Sequence, residues 1–142
     1  MNGGIFLDAS FWIAYRDERQ EQHPQAVELL RRAFRERAHF FTTLPVICEI
    51  HAHFARSQRK KRAVIDDFYS NPVVEIAEVS VHDQNDALNI LRTHHDKSYS
   101  LCDAISFVVM RRLKVARALV FDDHFSQFGE FEINHLTTDG HG

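Results

Sequence analysis

The chain has 142 residues, with 44% hydrophobic and 26% charged residues and a formal net charge of −3. That size suits one domain with a core, and the composition argues against a largely disordered chain. No run of about 18 apolar residues is present to cross a membrane, and the amino terminus lacks the basic and long apolar segments of a secretory signal.

Two cysteines, Cys48 and Cys102, lie inside apolar helical patterns. They make neither a disulfide framework nor a CxxC metal knuckle, which fits a reducing cytoplasm. Ten histidines are present. None is paired at the spacing of four that would set two imidazoles on one helix face, and a structural zinc site is not expected.

Residues 5–7 read as a short buried strand ending at Asp8, followed by a helical stretch over 11–15 opened by Ser10. Residues 17–23 are polar and read as a loop. Pro24 then suits the start of a helix carrying Ala26, Leu29, Leu30 and Ala33, because its missing N–H needs no partner there. A second strand is expected at 39–42 and a helix from Pro45, with Val46, Ile47, Ile50 and Phe54 as its stripe. A further helix over 57–69 stops before Asn71-Pro72.

Residues 73–79 alternate as a strand, and 82–94 read as a helix. The most apolar helix follows at 101–113, opened by Ser100. A strand at 118–121 runs into Asp122, a helical turn spans 123–128, Gly129 stops it, and a last strand is expected at 131–136. The tail 137–142 is expected to fray. Strands thus alternate with helices long enough for parallel crossovers. The expected fold class is α/β, a three-layer α/β/α sandwich with a mostly parallel central sheet, in one domain whose core spans about 5–136.

Four acids fall at comparable places: Asp8 in LDAS, Glu49 in TTLPVICEI, Asp103 in SLCDAISF and Asp122 in LVFDDHF. In an open parallel sheet, ligands bind beyond the carboxyl ends of the strands, and all four belong at or near that edge. Carboxylates gathered at one point repel each other and call for a cation; an all-oxygen set selects hard ions such as Mg²⁺ or Mn²⁺. Each acid also has a bland explanation. Ser100 and Asp103 match a capping box, Asp8 and Asp122 precede helical turns, and Glu49 fits an exposed helix position. Capping alone, however, does not require the four to converge.

The order of these motifs resembles the PIN-domain family and is similar in particular to its VapC toxins, from Ile5 to about Leu136. LDAS carries little by itself; SLCDA opening a hydrophobic helix, with FDDHF about twenty residues on, is the specific combination. The resemblance implies an endoribonuclease dependent on Mg²⁺ or Mn²⁺, with Asp8, Glu49, Asp103 and Asp122 as its catalytic and metal-holding quartet. It also implies that Ser10 supports Asp8, that the chain forms a homodimer, and that a cognate VapB-like antitoxin holds it inactive. Asp123 departs from the family pattern and leaves two candidates for the fourth acid, of which Asp122 is favoured.

Possible substrate contacts are Arg56 and Arg59, in a basic run that also includes Lys60, Lys61 and Arg62, and His124 beside Asp123. For His124 a place on the helix surface is preferred, and Phe11, Trp12 and Tyr15 are assigned to packing. Three other readings are open: a housekeeping RNA-processing nuclease, a receiver-like phosphoryl acceptor, and an RNA-binding domain that does not cut. The receiver reading lacks a Lys after the last core strand, since none occurs in 134–142.

Overall fold

A computed structural model describes residues 3–70 and 73–136. Five parallel strands form one sheet: β1 (Gly4–Leu7), β2 (His39–Thr43), β3 (Val74–Ala77), β4 (Arg117–Leu119) and β5 (Glu132–Ile133), in the order β3-β2-β1-β4-β5. Seven helices connect them: α1 (Ala9–Arg16), α2 (His23–Arg35), α3 (Leu44–His53), α4 (Gln58–Tyr69), α5 (Val81–Thr93), α6 (Leu101–Leu113) and α7 (His124–Phe128). The expected parallel α/β/α architecture is what the chain adopts.

The topology follows from the handedness of parallel crossovers. From β1 the chain steps outward to β2 and β3, then returns through α5 and α6 to β4 on the other side of β1. Right-handed crossovers in opposite directions put their helices on opposite faces. Accordingly α1 packs on α2 and α3, and α3 on α4, while α5 and α6 pack on each other. The reversal of direction falls between β1 and β4, and beyond the carboxyl ends of strands at such a reversal is where open parallel sheets bind ligands.

Apolar side chains of both layers meet in one cluster around β1, where Ile5, Phe6 and Leu7 are almost fully buried. Helix α6 is buried from Asp103 to Met110, as its nearly continuous apolar sequence requires. Phe rings fill the space between α6 and α7: Phe107 stacks on Phe128 at 4.2 Å between ring centroids and meets Phe125 edge-on at 4.9 Å. Phe11 and Trp12 are buried, and the Trp12 indole donates to Asp67 at 2.9 Å, which confirms packing for that pair.

Several boundaries differ from expectation. The strand expected over 73–79 is limited to Val74–Ala77, and that at 118–121 to Arg117–Leu119. The last strand shrinks to two residues because Asn134 takes a left-handed φ of +56°. Its side chain then pairs with Val120 through both amide atoms, at 3.0 and 2.9 Å, and continues the ladder where backbone pairing stops. Phe34 falls on the apolar repeat of the helix opened by Pro24, and Ile65 on that of the helix over 57–69, which marks both as inward; in the structure both are exposed. The expected fraying of 137–142 lies outside the described residues.

Candidate active site

Asp8 follows β1 immediately, so the strand delivers it to that sheet edge, and the start of α1 holds it there. Its Oδ2 accepts the Ser10 N–H at 3.0 Å and the Ser10 hydroxyl at 2.8 Å. The capping role is thus present. Oδ2 caps α1, while Oδ1 has no hydrogen bond among the described residues. The same Ser10 oxygen accepts the backbone N–H of Phe121 at 2.9 Å and of Asp122 at 3.3 Å. Ser10 therefore ties the end of β1 to the segment after β4, across the point where the strand order reverses.

Asp103 arrives from a third direction, in the first turn of α6. The capping box with Ser100 is complete: Asp103 N–H donates to the Ser100 hydroxyl at 3.0 Å, and Ser100 N–H to Asp103 Oδ2 at 2.9 Å. The same Oδ2 lies 2.6 Å from Nδ1 of His124. Again one carboxylate oxygen is engaged in structure and the other is not. Asp122 accepts the His124 N–H at 2.9 Å through Oδ1. Asp123 beside it is exposed, and geometry sides with Asp122 as the acid that joins the cluster.

The electrostatics record the convergence. Burial, then the Asp122 charge, pushes the Asp8 carboxyl up to about 7, with Asp103 adding to the rise. Burial likewise raises Asp122, and the Asp103 charge adds to it. Glu49 is exposed along much of its side chain. Partial desolvation of its carboxyl, followed by the charges of Asp103 and Asp122, still raises its pKa. The four acids thus act on one another, although they come from four separate segments. Capping accounts for the places of Asp8 and Asp103, not for the charges that couple Asp8 to Asp122 and Asp103, and Glu49 to Asp103 and Asp122.

Ligand atoms of Asp103, Asp122 and His124 lie within 4.8 Å of one another. With Asp8 and Glu49 close enough to be perturbed by the same charges, the available donors are carboxylate oxygens, and the His124 ring lies against one of them. That set fits a hard divalent cation, whose charge would offset both the burial and the mutual repulsion that raise these pKa values.

Two side chains acquire a place that sequence reading missed. His124, assigned to the helix surface, instead contacts Asp103; the FDDHF spacing held the signal, since a turn beginning at Asp123 directs the second residue after Asp122 back toward the cluster. Cys102 hydrogen-bonds Glu49, and burial first, then the Glu49 charge, drives its thiol far up. It stays protonated and is no nucleophile. His53, one turn beyond Glu49, is engaged elsewhere, with Nε2 3.3 Å from the buried Asp17.

Arg56 and Arg59 border clefts beside Arg16, Glu18 and Lys60, at the carboxyl end of α1. Asp8 caps the opposite end of that eight-residue helix, about 12 Å away at 1.5 Å per residue. The clefts they border contain none of the four acids.

The PIN domain family matches residues 5–130. The chain is 29% identical over 130 residues to the 23S rRNA-specific endonuclease VapC20 of two Mycobacterium tuberculosis strains, covering 91% of this chain and 97% of the relative. The crystal structure of M. tuberculosis VapC20, a sarcin-ricin loop cleaving toxin, superposes with a TM-score of 0.80 and 28% identity over 91% of this chain and 98% of that one. VapBC2 from Rickettsia felis, bound to a promoter DNA fragment, shares the fold at a TM-score of 0.61 and 12% identity, over 91% of this chain and 96% of that one. FitAcB from Neisseria gonorrhoeae does so at 0.58 and 12%, over 91% and 95%. By its fold, its acid-bearing strand ends and this match along most of its length, the chain belongs to the PIN domain family.

Proposed function

We propose that this chain is a divalent-cation-dependent endoribonuclease, the toxin component of a VapBC-type toxin–antitoxin pair, and that Asp8, Glu49, Asp103 and Asp122 carry its chemistry. The observation that carries the reading is the convergence of Asp103 and Asp122, whose ligand atoms lie within 4.8 Å of each other and of His124, near a buried Asp8 whose carboxyl is raised to about 7 by burial first and the Asp122 charge second. Family membership supplies the reaction class, and the VapC20 relative supplies RNA as the substrate and ribosomal RNA as the first one to test. Mg²⁺ or Mn²⁺ is the proposed ion. The receiver-like alternative has no support in the family match.

Asp8 and Asp103 form the main platform, each held by one oxygen and presenting the other; Asp122 and Glu49 complete it. When bound, a divalent cation supplies the positive charge that lets a phosphodiester approach this pocket and lowers the pKa of an attacking water. The protein's own share is positional. Ser10 fixes Asp8 against the Asp122 backbone, and the capping box fixes Asp103. Cys102, protonated, donates to Glu49. Arg56 and Arg59 contact flanking phosphates, where they add affinity without touching the scissile bond.

The chain acts as a single catalytic domain in the cytoplasm, and no helix among the described residues is long and apolar enough to cross a membrane. A homodimer is supported by the exposed Leu44, Val81 and Leu101, two of which border an apolar cleft of about 550 Å³ lined also by Ile76, Leu88 and Ile105. A VapB-like antitoxin is the proposed inhibitor, as the toxin–antitoxin relatives suggest. The purified chain is expected to cut ribosomal RNA with Mg²⁺ or Mn²⁺ and to stop in EDTA. Asp8→Asn should remove cleavage and leave the fold intact; full activity of that variant, or activity in EDTA, overturns the reading.

A further inference from the structure

His124 makes two contacts that bear on two different acids. Its backbone N–H holds Asp122 Oδ1 at 2.9 Å, and its ring Nδ1 lies 2.6 Å from Asp103 Oδ2. At the far side of the ring, Nε2 lies 3.2 Å from the Ser98 hydroxyl. One proton arrangement of the neutral ring satisfies both contacts. Nδ1 carries the hydrogen and donates to Asp103, while Nε2 is bare and accepts from Ser98. The reverse tautomer would set the Nδ1 lone pair against a carboxylate oxygen.

The ring is also held in place. Tyr99 meets it edge-on at 5.8 Å and 81°, and Tyr99 is itself buried against Phe107 and Phe128. Asp103 Oδ2 thus receives two donors, Ser100 N–H from its own helix and His124 Nδ1–H from α7. A carboxylate fixed by one donor can still pivot about it; fixed by two donors from different elements, it cannot. The second donor therefore decides where Oδ1 points.

We propose that His124 is a positioning residue of the cation site: through Nδ1–H it locks the Asp103 carboxylate, with Ser98 selecting the tautomer, so that the free oxygen is presented to a divalent ion together with Asp122. This rests on the cation-dependent reading above and adds a specific outer partner to it. Such partners set ligand orientation, and losing one typically costs about 10–100-fold in metal affinity. Because the lock on Asp122 uses the main chain, side-chain replacement leaves it in place and isolates the Asp103 contact.

The test measures Mn²⁺ binding by calorimetry, without RNA, on the native chain and on His124→Ala, His124→Asn, His124→Gln and Ser98→Ala, with thermal melting as a fold control. Asn places an amide N–H at the position of Nδ1; Gln reaches only the position of Nε2. His124→Ala and His124→Gln are expected to weaken Mn²⁺ by about 10–100-fold, His124→Asn to recover most of it, and Ser98→Ala to lose less than His124→Ala. Native-like affinity in His124→Ala, or Asn and Gln behaving alike, overturns the positioning role and leaves the nuclease reading standing. A nitrogen coupling from a directly bound imidazole in the Mn²⁺ spin-echo spectrum also overturns it. Failure of the native chain to bind Mn²⁺ at all overturns the cation reading itself.

Discussion

The hydroxyl of Ser10 donates to Asp8 Oδ2 at 2.8 Å while accepting the backbone N–H of Asp122 at 3.3 Å, so one oxygen latches together two acids that are 114 residues apart in the chain. The same oxygen takes the Phe121 N–H at 2.9 Å. This latch extends the β1–β4 pairing beyond the carboxyl ends of the two strands, at the point where the strand order reverses.

Replacing Ser10 with Ala leaves the Ser10 N–H to Asp8 contact intact but strands the Phe121 N–H. An unsatisfied buried donor costs about 1–3 kcal/mol. The expected outcome is a stability loss of that order in denaturant unfolding and a fall in cleavage rate of about 10-fold or more, by analogy with other supporting residues of metal sites. Ser10→Thr, which keeps the hydroxyl, should recover most of the rate; equal loss in both variants would speak against the latch.

Asp8 sets a pH dependence with a definite sign. Its folded pKa, about 7, lies above the ordinary value of 3.8. The folded state therefore holds a proton that the unfolded state has released. This contribution is fully present below about 3.8 and is lost as pH rises to about 7. Metal-free protein should lose melting temperature across that window, with a shallower slope in Asp8→Asn. Added Mg²⁺ or Mn²⁺ should restore stability most near and above pH 7, and its binding near pH 6 should release a proton, measurable by calorimetry in buffers of different ionisation enthalpy.

Asp17 works in the opposite sense. It is buried at the end of α1, accepting from Arg19, Gln20 and His53, and hydrogen bonding led by the Arg19 side chain holds its pKa well below the usual carboxylate range. Its contribution is present above about 3.8 and disappears as pH falls below that value. Asp17→Asn should be less stable than the native chain at pH 7, with the difference shrinking on acidification. A difference that grows toward low pH would contradict this assignment.

Arg56 and Arg59 should matter for RNA and not for the bond-breaking step. The double change Arg56→Glu and Arg59→Glu is expected to raise KM for a long RNA by about 10-fold and to flatten the salt dependence of binding by roughly two phosphate contacts. Cleavage of a short oligonucleotide confined to the acidic pocket should change little. A large fall in kcat on both substrates would place these residues in the catalytic cluster instead.

Much of this molecule is written locally. The alternation of short apolar runs with amphipathic stretches specifies parallel β/α layering, and S-x-x-D at Ser100–Asp103 specifies the start of α6, because capping and periodicity depend on neighbours a few residues away. The four acids were legible as candidates from local sequence: Asp8 and Asp122 follow strands, Asp103 lies in the first turn of a helix, and Glu49 lies one turn into the helix that Pro45 starts. Strand ends were harder to read; the stop in β5 depends on Asn134 adopting a left-handed backbone and pairing with Val120 from another strand.

Tertiary structure alone decided how the pieces act together. Whether Asp8 repels Asp122, whether the Ser10 hydroxyl joins them, and whether His124 faces solvent or Asp103 depend on interactions between residues 21 to 114 positions apart. Local propensity carries no record of such pairs. They arise when parallel crossovers in two directions bring the ends of β1 and β4 side by side, and only then does a set of ordinary helix caps become a pocket whose charges call for a cation.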